Sequence, residues 1–264
     1  MTTLQWGALS WTDFRDLPKD EVVAVLPIAS IEQHGPHLPV ATDSLCADML
    51  VQGICEKLDD VSMVVLPQIW CSRSNEHVNF PGTVFLERET FINVVREVSA
   101  SVARAGFKRL VIVNWHGGNT MLLGSIVHDI RQETGLMVFV IDLLNLLSTF
   151  TPSWYEEGSF DIHAERLETA MILKGYPELV KDMDFSDLGS DLKRGKMGKA
   201  FNGFEHLVPE GGPVFMSWET DDLSEDGVIG NPLGATPENG EEVLTYMVDL
   251  SCEIMREIVR FDYE

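Results

Sequence analysis

The run VVAVLPIAS at residues 22–30 passes directly into IEQHGPHLPVATD at residues 31–43, and this junction decides the fold. The first part is too short for a helix and too continuously apolar for a strand with one wet face. It reads as a central strand of a parallel sheet, buried on both sides. The second part is polar, with Glu32, His34, His37 and Asp43 gathered where the strand ends. In open parallel sheets ligands bind beyond the carboxyl ends of the strands, so the junction is the first candidate site.

The same strand pattern recurs in MVVLP (63–67), RLVIVN (109–114) and LMVFVIDL (136–143). Helical periodicity fills the gaps. Residues 44–58 and 119–134 read as helices, and Phe91, Val94, Val95, Val98 and Val102 form one apolar stripe that Gly106 brings to an end. Thr236 and Pro237 open a last helix reaching about Arg260, with Val243, Met247, Leu250, Ile254 and Ile258 inward. Alternating strands and helices predict an α/β fold, a three-layer α/β/α arrangement around a mostly parallel sheet. Residues 1–264 are expected to form one domain. The acidic stretch 182–235 lacks periodicity and exceeds an ordinary loop, so it is expected as an excursion packed at the sheet's edge.

Composition narrows the partners. With 19 basic and 42 acidic side chains, the formal charge of -23 repels phosphate backbones and anionic lipid, and no basic stripe offsets it. Nucleic acid and membranes are therefore not expected as partners. The N-terminal MTTLQWGALSW lacks a basic and an apolar region, and no apolar run approaches the roughly 18 residues of a span, which predicts a cytoplasmic protein. Cys46, Cys55, Cys71 and Cys252 show no CxxC pairing and read as reduced packing residues.

Glu32 and His34 stand two apart, so on an extended segment they project to one side, a half-site for a divalent cation. Asp43, taken alone, reads first as a helix cap. His116 follows a second strand in NWHGGNT, where a hydrogen-bonded loop histidine and a metal ligand are both open readings. In DIHAERLETA, His163 and Glu168 stand five apart and need not share a face, while Glu168 lies in an apolar helix start where a buried glutamate needs a cation or a hydrogen-bond partner. Glu32, His34, Asp43, His116 and Glu168 arriving at one sheet edge make a mixed nitrogen and oxygen set. It suits zinc, manganese or iron better than calcium.

Together, IEQHGPHLPVATD, EHVNFPGTVFL (76–86), NWHGGN (114–119), HAERLETA (163–170) and GVIGNPLGATPENG (227–240) resemble, in order and spacing, the creatininase family of creatinine amidohydrolases. The resemblance implies a cytoplasmic α/β metal hydrolase, commonly a homohexamer, with one or two divalent ions, zinc first and manganese or iron as alternatives. It implies Glu32, Asp43 and His116 around one ion and His34, Asp43 and Glu168 around the other, with Asp43 bridging. It makes His163 the catalytic histidine beside a small-molecule substrate. Two positions depart from creatininase: Gly118 stands where that enzyme has a further acidic ligand, and Ile162 where it has an acid thought to assist proton transfer. The NxHGGN form is similar to relatives that deformylate a formamide, trim a peptide or open oxidised inositol rings.

The expected activity is thus hydrolysis of a C–N bond in a small amide, formamide or cyclic ureide. The alternatives are ring-opening C–C hydrolysis of a keto-inositol or diketone, and a non-catalytic oligomeric binding protein. His77 is expected at the site mouth as a substrate contact or as loop packing, and Asn119 as a helix cap or a substrate contact. Trp154 and Tyr155 are read as a lid over substrate or as interface aromatics. His37 is read as a group orienting Glu32 or His34, or as a backbone-bonded loop histidine.

Overall fold

A computed structural model describes residues 3–154, 161–189, 204, 206–209 and 213–263. Its elements run β1 (Thr3–Gln5), α1 (Trp11–Asp16), β2 (Val23–Ile28), α2 (Thr42–Lys57), β3 (Met63–Val65), α3 (Arg88–Arg104), β4 (Arg109–Asn114) and α4 (Gly117–Thr134). They continue with β5 (Met137–Asp142), α5 (Leu143–Leu147), α6 (Arg166–Gly175), α7 (Thr220–Leu223) and α8 (Pro237–Arg260). The strands form one five-stranded sheet in the order β1-β3-β2-β4-β5, and every pairing in it is parallel.

Strand alternation builds the two outer layers. Val23 and Val25 of β2, with Val111 and Val113 of β4, face a core with Leu50 of α2, Met171 of α6 and Met247 of α8. Ala24, Leu26, Leu110 and Ile112 face the opposite core with Phe91 and Val95 of α3 and Leu123 and Ile126 of α4. This is the expected α/β/α sandwich. Pro27 lies in the interior strand β2 without breaking it, because β3 pairs only as far as Val25 and the Pro27 carbonyl then accepts from Ile69 N–H at 3.0 Å.

Three local expectations shift. LMVFVIDL reads as a central strand, yet β5 is the sheet's edge, with Met137 to Val140 only half-buried. The buried stripe of α8 runs through Val243, Met247, Val248, Ser251, Cys252, Met255 and Ile258, leaving Leu250 and Ile254 on its half-buried flank. In α3, Ser99 joins Phe91, Val95 and Val102 inside, with its hydroxyl donating to the Val95 carbonyl. Gly106 does follow the helix end in the left-handed region, at φ 97°.

The chain leaves β2 toward β3 on one side and returns to β4 on the other, so a switch point opens between β2 and β4. Both polar clusters emerge there. The excursion differs from expectation where it is described: instead of packing at a sheet edge it covers this opening, with Thr220 of α7 against His77 and Ile229 bridged to His163. Residues 190–203 lie outside the described residues.

Candidate metal centre and active site

Asp43 is the pivot. Helix α2 begins at Thr42, two residues earlier than expected, so Asp43 lies in its first turn and makes no cap. Its buried carboxylate instead faces two imidazoles: Oδ1 is 3.3 Å from His34 Nε2, and Oδ2 is 3.2 Å from His116 Nδ1. Oδ2 also accepts from the Ser30 hydroxyl at 2.5 Å. Each imidazole nitrogen has a second carboxylate beside it. Glu32 Oε2 is 3.3 Å from His116 Nδ1, and Glu168 Oε2 is 3.6 Å from His34 Nε2. All five residues are buried or nearly so.

The opposite ring nitrogens are already committed. His34 Nδ1 donates to the Glu32 carbonyl at 3.1 Å, and His116 Nε2 donates to the Arg73 carbonyl at 2.7 Å. The nitrogens facing the carboxylates therefore carry the lone pairs when the rings are neutral, the tautomer a metal requires. Burial opposes a charge on either imidazole, but Glu168 and Asp43 at His34, and Glu32 and Asp43 at His116, outweigh it and hold both well above their ordinary pKa. Burial likewise raises Glu32, yet His116 and His77 bring it well below the usual carboxylate range. For Asp43, burial and the Glu32 charge work upward, and His34 and His116 reverse them. Glu32 Oε2 and His34 Nε2 remain buried without a hydrogen-bond partner. A divalent cation would satisfy both, so the donors present fit one.

Local folding fixes these groups. The His116 turn is held by Asn114, whose amide donates to the His116 carbonyl at 2.8 Å and to Asp142 at 2.9 Å. Asn119 is not a cap: it is fully buried inside α4, its amide donating to Ser72 and to Asn114 at 3.1 Å each. It braces the site from behind rather than lining the pocket. Glu165 caps α6 by accepting from Leu167 and Glu168 N–H. Ala164, at φ 54°, is the one non-glycine in the left-handed region among the described residues, and its N–H donates to Glu168 Oε2 at 2.6 Å.

His163 lies between His34 and His77, with ring centroids 4.2 Å from each. Its Nε2 donates to the Gln33 carbonyl at 2.6 Å, and its Nδ1 stands 3.7 Å from Glu32 Oε1. Burial, reinforced by the two neighbouring imidazoles, keeps it neutral, well below its usual pKa. His77 lines the same pocket, but it is locked: Gln33 donates to its Nδ1 at 2.9 Å, so Nε2 carries the proton 3.3 Å from Glu32 Oε1. His37 sits behind His34, its Nε2 2.9 Å from the Thr169 hydroxyl, with burial lowering its pKa to about 4. Trp154 lies away from the pocket, donating to Glu242 of α8 at 2.8 Å beside Phe150. Tyr155 falls outside the described residues.

The pocket over this cluster holds about 450 Å³. Met216, Ser217 and Trp218 form part of its wall, as does Glu76, to which the sequence motifs assign no role. A smaller cavity of about 150 Å³ shares Leu143, Leu144, Ile162 and Glu168 with it and adds Leu147, Phe150 and Leu167 together with Asp161 and Glu165.

The creatinine amidohydrolase family profile matches residues 7–255. The mycofactocin precursor peptide peptidase of Mycolicibacterium smegmatis is 29% identical over 92% of this chain and 88% of its own. The 3-dehydro-scyllo-inosose hydrolase of Thermotoga maritima is 23% identical over 98% and 84%. The creatinine amidohydrolase of Pseudomonas putida is 28% identical over 67% and 74%. A zinc–zinc form of a mutant creatininase superposes with a TM-score of 0.77 at 22% identity, over 98% of this chain and 99% of that one, which is a likeness of fold. With nearly its whole length matched, the chain belongs to the creatininase family of hydrolases.

Proposed function

We propose that residues 1–264 form one metal-dependent hydrolase unit that cleaves a C–N bond in a small amide, formamide or cyclic ureide. The reading rests on one observation: Asp43 offers a separate oxygen to each of two buried imidazoles, each flanked by its own further carboxylate. Glu32, Asp43 and His116 would hold one ion, and His34, Asp43 and Glu168 the other. Zinc is the first choice, with manganese or iron as alternatives for such a donor set. When bound, such ions polarise a carbonyl and acidify water. The named creatininase structures include zinc and manganese forms.

The chain's own groups manage the proton. With Nε2 tied to Gln33, His163 accepts a proton at Nδ1 and returns it to the departing nitrogen. His77 steadies Glu32 through its Nε2–H. The wall of Met216, Ser217 and Trp218 limits water around the reacting carbonyl, and the cavity beside it, with Leu143, Leu147 and Phe150 on one side and carboxylates on the other, accommodates an arm of the substrate. The inosose hydrolase of Thermotoga maritima keeps ring-opening C–C hydrolysis as the second reading. Assembly as a homohexamer in the cytoplasm completes the proposal. Among the described residues, no helix is long and apolar enough to cross a membrane.

Assaying pure protein against cyclic and acyclic amides and against oxidised inositols separates the two chemistries. Amine release supports the first, and a new carboxylate without amine supports the second. Protein that carries less than about one ion per chain, with no gain on adding zinc or manganese, overturns both and leaves the binding-protein alternative.

A further inference from the structure

We propose that Glu76 is a further carboxylate ligand of the ion held by Glu32, Asp43 and His116, and that Gly118 is glycine to leave its carboxylate that place. Glu76 lies on the short 3-10 turn Asn75–His77, in the segment between β3 and α3. Its Oε1 stands 3.6 Å from His116 Nε2, the ring nitrogen turned to the Arg73 carbonyl rather than to Glu32 and Asp43, and its side chain is 19% exposed on the pocket wall. Glu32, Glu76 and His116 each offer one ligand atom, all within 4.8 Å of one another. Ligands about 2.1 Å from one ion stand roughly 3–4.2 Å apart, so a rotation of the Glu76 side chain toward the Nδ1 edge of His116 brings the three onto a common centre. Glu32 Oε2, buried and without a hydrogen-bond partner, marks where that centre lies.

The turn is held in place independently of any ion. The Glu76 carbonyl accepts from the Thr220 hydroxyl at 3.0 Å, and the next residue, His77, is tied to Gln33. Glu76 is thus presented by a fixed backbone, as a ligand should be.

Gly118 supplies an independent argument. It lies in the first turn of α4 and does not adopt a left-handed backbone, so its conformation alone does not demand glycine. Space does. A Cβ there would stand 2.6 Å from Glu76 Oε1, 2.5 Å from His116 Nε2 and 3.0 Å from the Arg73 carbonyl. A side chain at 118 would press on the His116 ring and compete with the carboxylate of Glu76 for the volume beside it.

The assignment rests on the two-ion reading, and the test separates the two. Protein stripped with chelator is dialysed to equilibrium against graded zinc, and bound metal is counted for wild type, Glu76→Gln, the shorter Glu76→Asp, and Glu76→Ala combined with Gly118→Glu. Wild type is expected to bind two ions, and Glu76→Gln to keep one while the other weakens at least about tenfold. Glu76→Asp is expected to weaken that ion less than Glu76→Gln does. Recovery in the double variant, where a carboxylate reaches the same volume from α4, supports the assignment. Two ions bound by Glu76→Gln as tightly as by wild type overturn it and leave the metal reading intact. Fewer than one ion on wild type overturns the metal reading itself.

Discussion

Loading the stripped protein with zinc should release protons, and the structure sets their number. His34 and His116 are the groups whose imidazole pKa is held well above its ordinary value, each between two carboxylates. At pH 7 both are protonated without metal, while Glu32 and Asp43, held low, are already ionised. His163 and His37 are held low as bases and are already neutral, so neither contributes. Each ion must displace one imidazole proton, about two per chain when both positions fill. Between pH 6.5 and the raised imidazole values, affinity should therefore climb about tenfold per pH unit for each ion, roughly 1.4 kcal/mol. The stability linkage runs the other way. A raised imidazole stabilises the stripped fold fully below its unfolded pKa near 6.5, and that contribution fades as pH rises through the folded value. Stripped protein should thus weaken on the alkaline side while zinc-loaded protein does not. Isothermal titration of zinc at pH 7, in buffers of differing ionisation enthalpy, reads the proton count from the slope of heat against that enthalpy. A slope below about half a proton per ion would refute the placement of His34 and His116 as proton-holding ligands.

Other substitutions divide the site. Asp43→Asn should weaken both ions at least about 100-fold, whereas Glu168→Gln weakens only the His34 side, as bound-metal counts will distinguish. His163→Gln should keep its metal yet lose about 10²- to 10⁴-fold in kcat; an unchanged kcat removes it from the chemistry. Leu147→Asp places a charge beside Leu143 and Phe150 in the side cavity and should raise KM for substrates with an apolar arm while sparing those without one. Gly240→Ala sets a methyl group 2.1 Å from the Ala170 carbonyl where α8 crosses α6. It should lower stability by about 1–3 kcal/mol, read as a fall in thermal midpoint, because backbone cannot yield there as a side chain can.

Much of the sandwich was legible because buried parallel strands need unbroken apolar runs, as VVAVLPIA and RLVIVN supply. The edges were not. Thr3 to Gln5 forms β1 with too few residues to show a period, and it is a strand only because β3 lies alongside. β5 looks central because its apolar residues do pack on both cores, Phe139 on one side and Val138 with Val140 on the other. Only the unpaired edge of its backbone distinguishes it, and side-chain composition does not report that. The α8 phase slipped for a related reason. Cys252 and Ser251 are small enough to lie in the buried stripe, while Leu250 and Ile254 remain apolar on its flank.

The site divides along the same line, between what adjacent residues dictate and what only the fold brings together. Glu32, His34 and Asp43 share one loop after one strand, so their convergence is written locally, and the resemblance extended it to His116 and Glu168. Asp43 reads as a cap from local rules because a carboxylate in a first turn is favoured by backbone N–H groups. Here two imidazoles and the Ser30 hydroxyl take it instead. Glu76 had no local signal, since it precedes His77 on a segment that meets His116 only across the pocket. Its trace is displaced in the chain, at Gly118, where a helix's first turn carries a glycine that the backbone does not need. A glycine that crowding rather than backbone conformation demands therefore points to the side chains that meet there, and here His116 is joined by a carboxylate arriving from elsewhere.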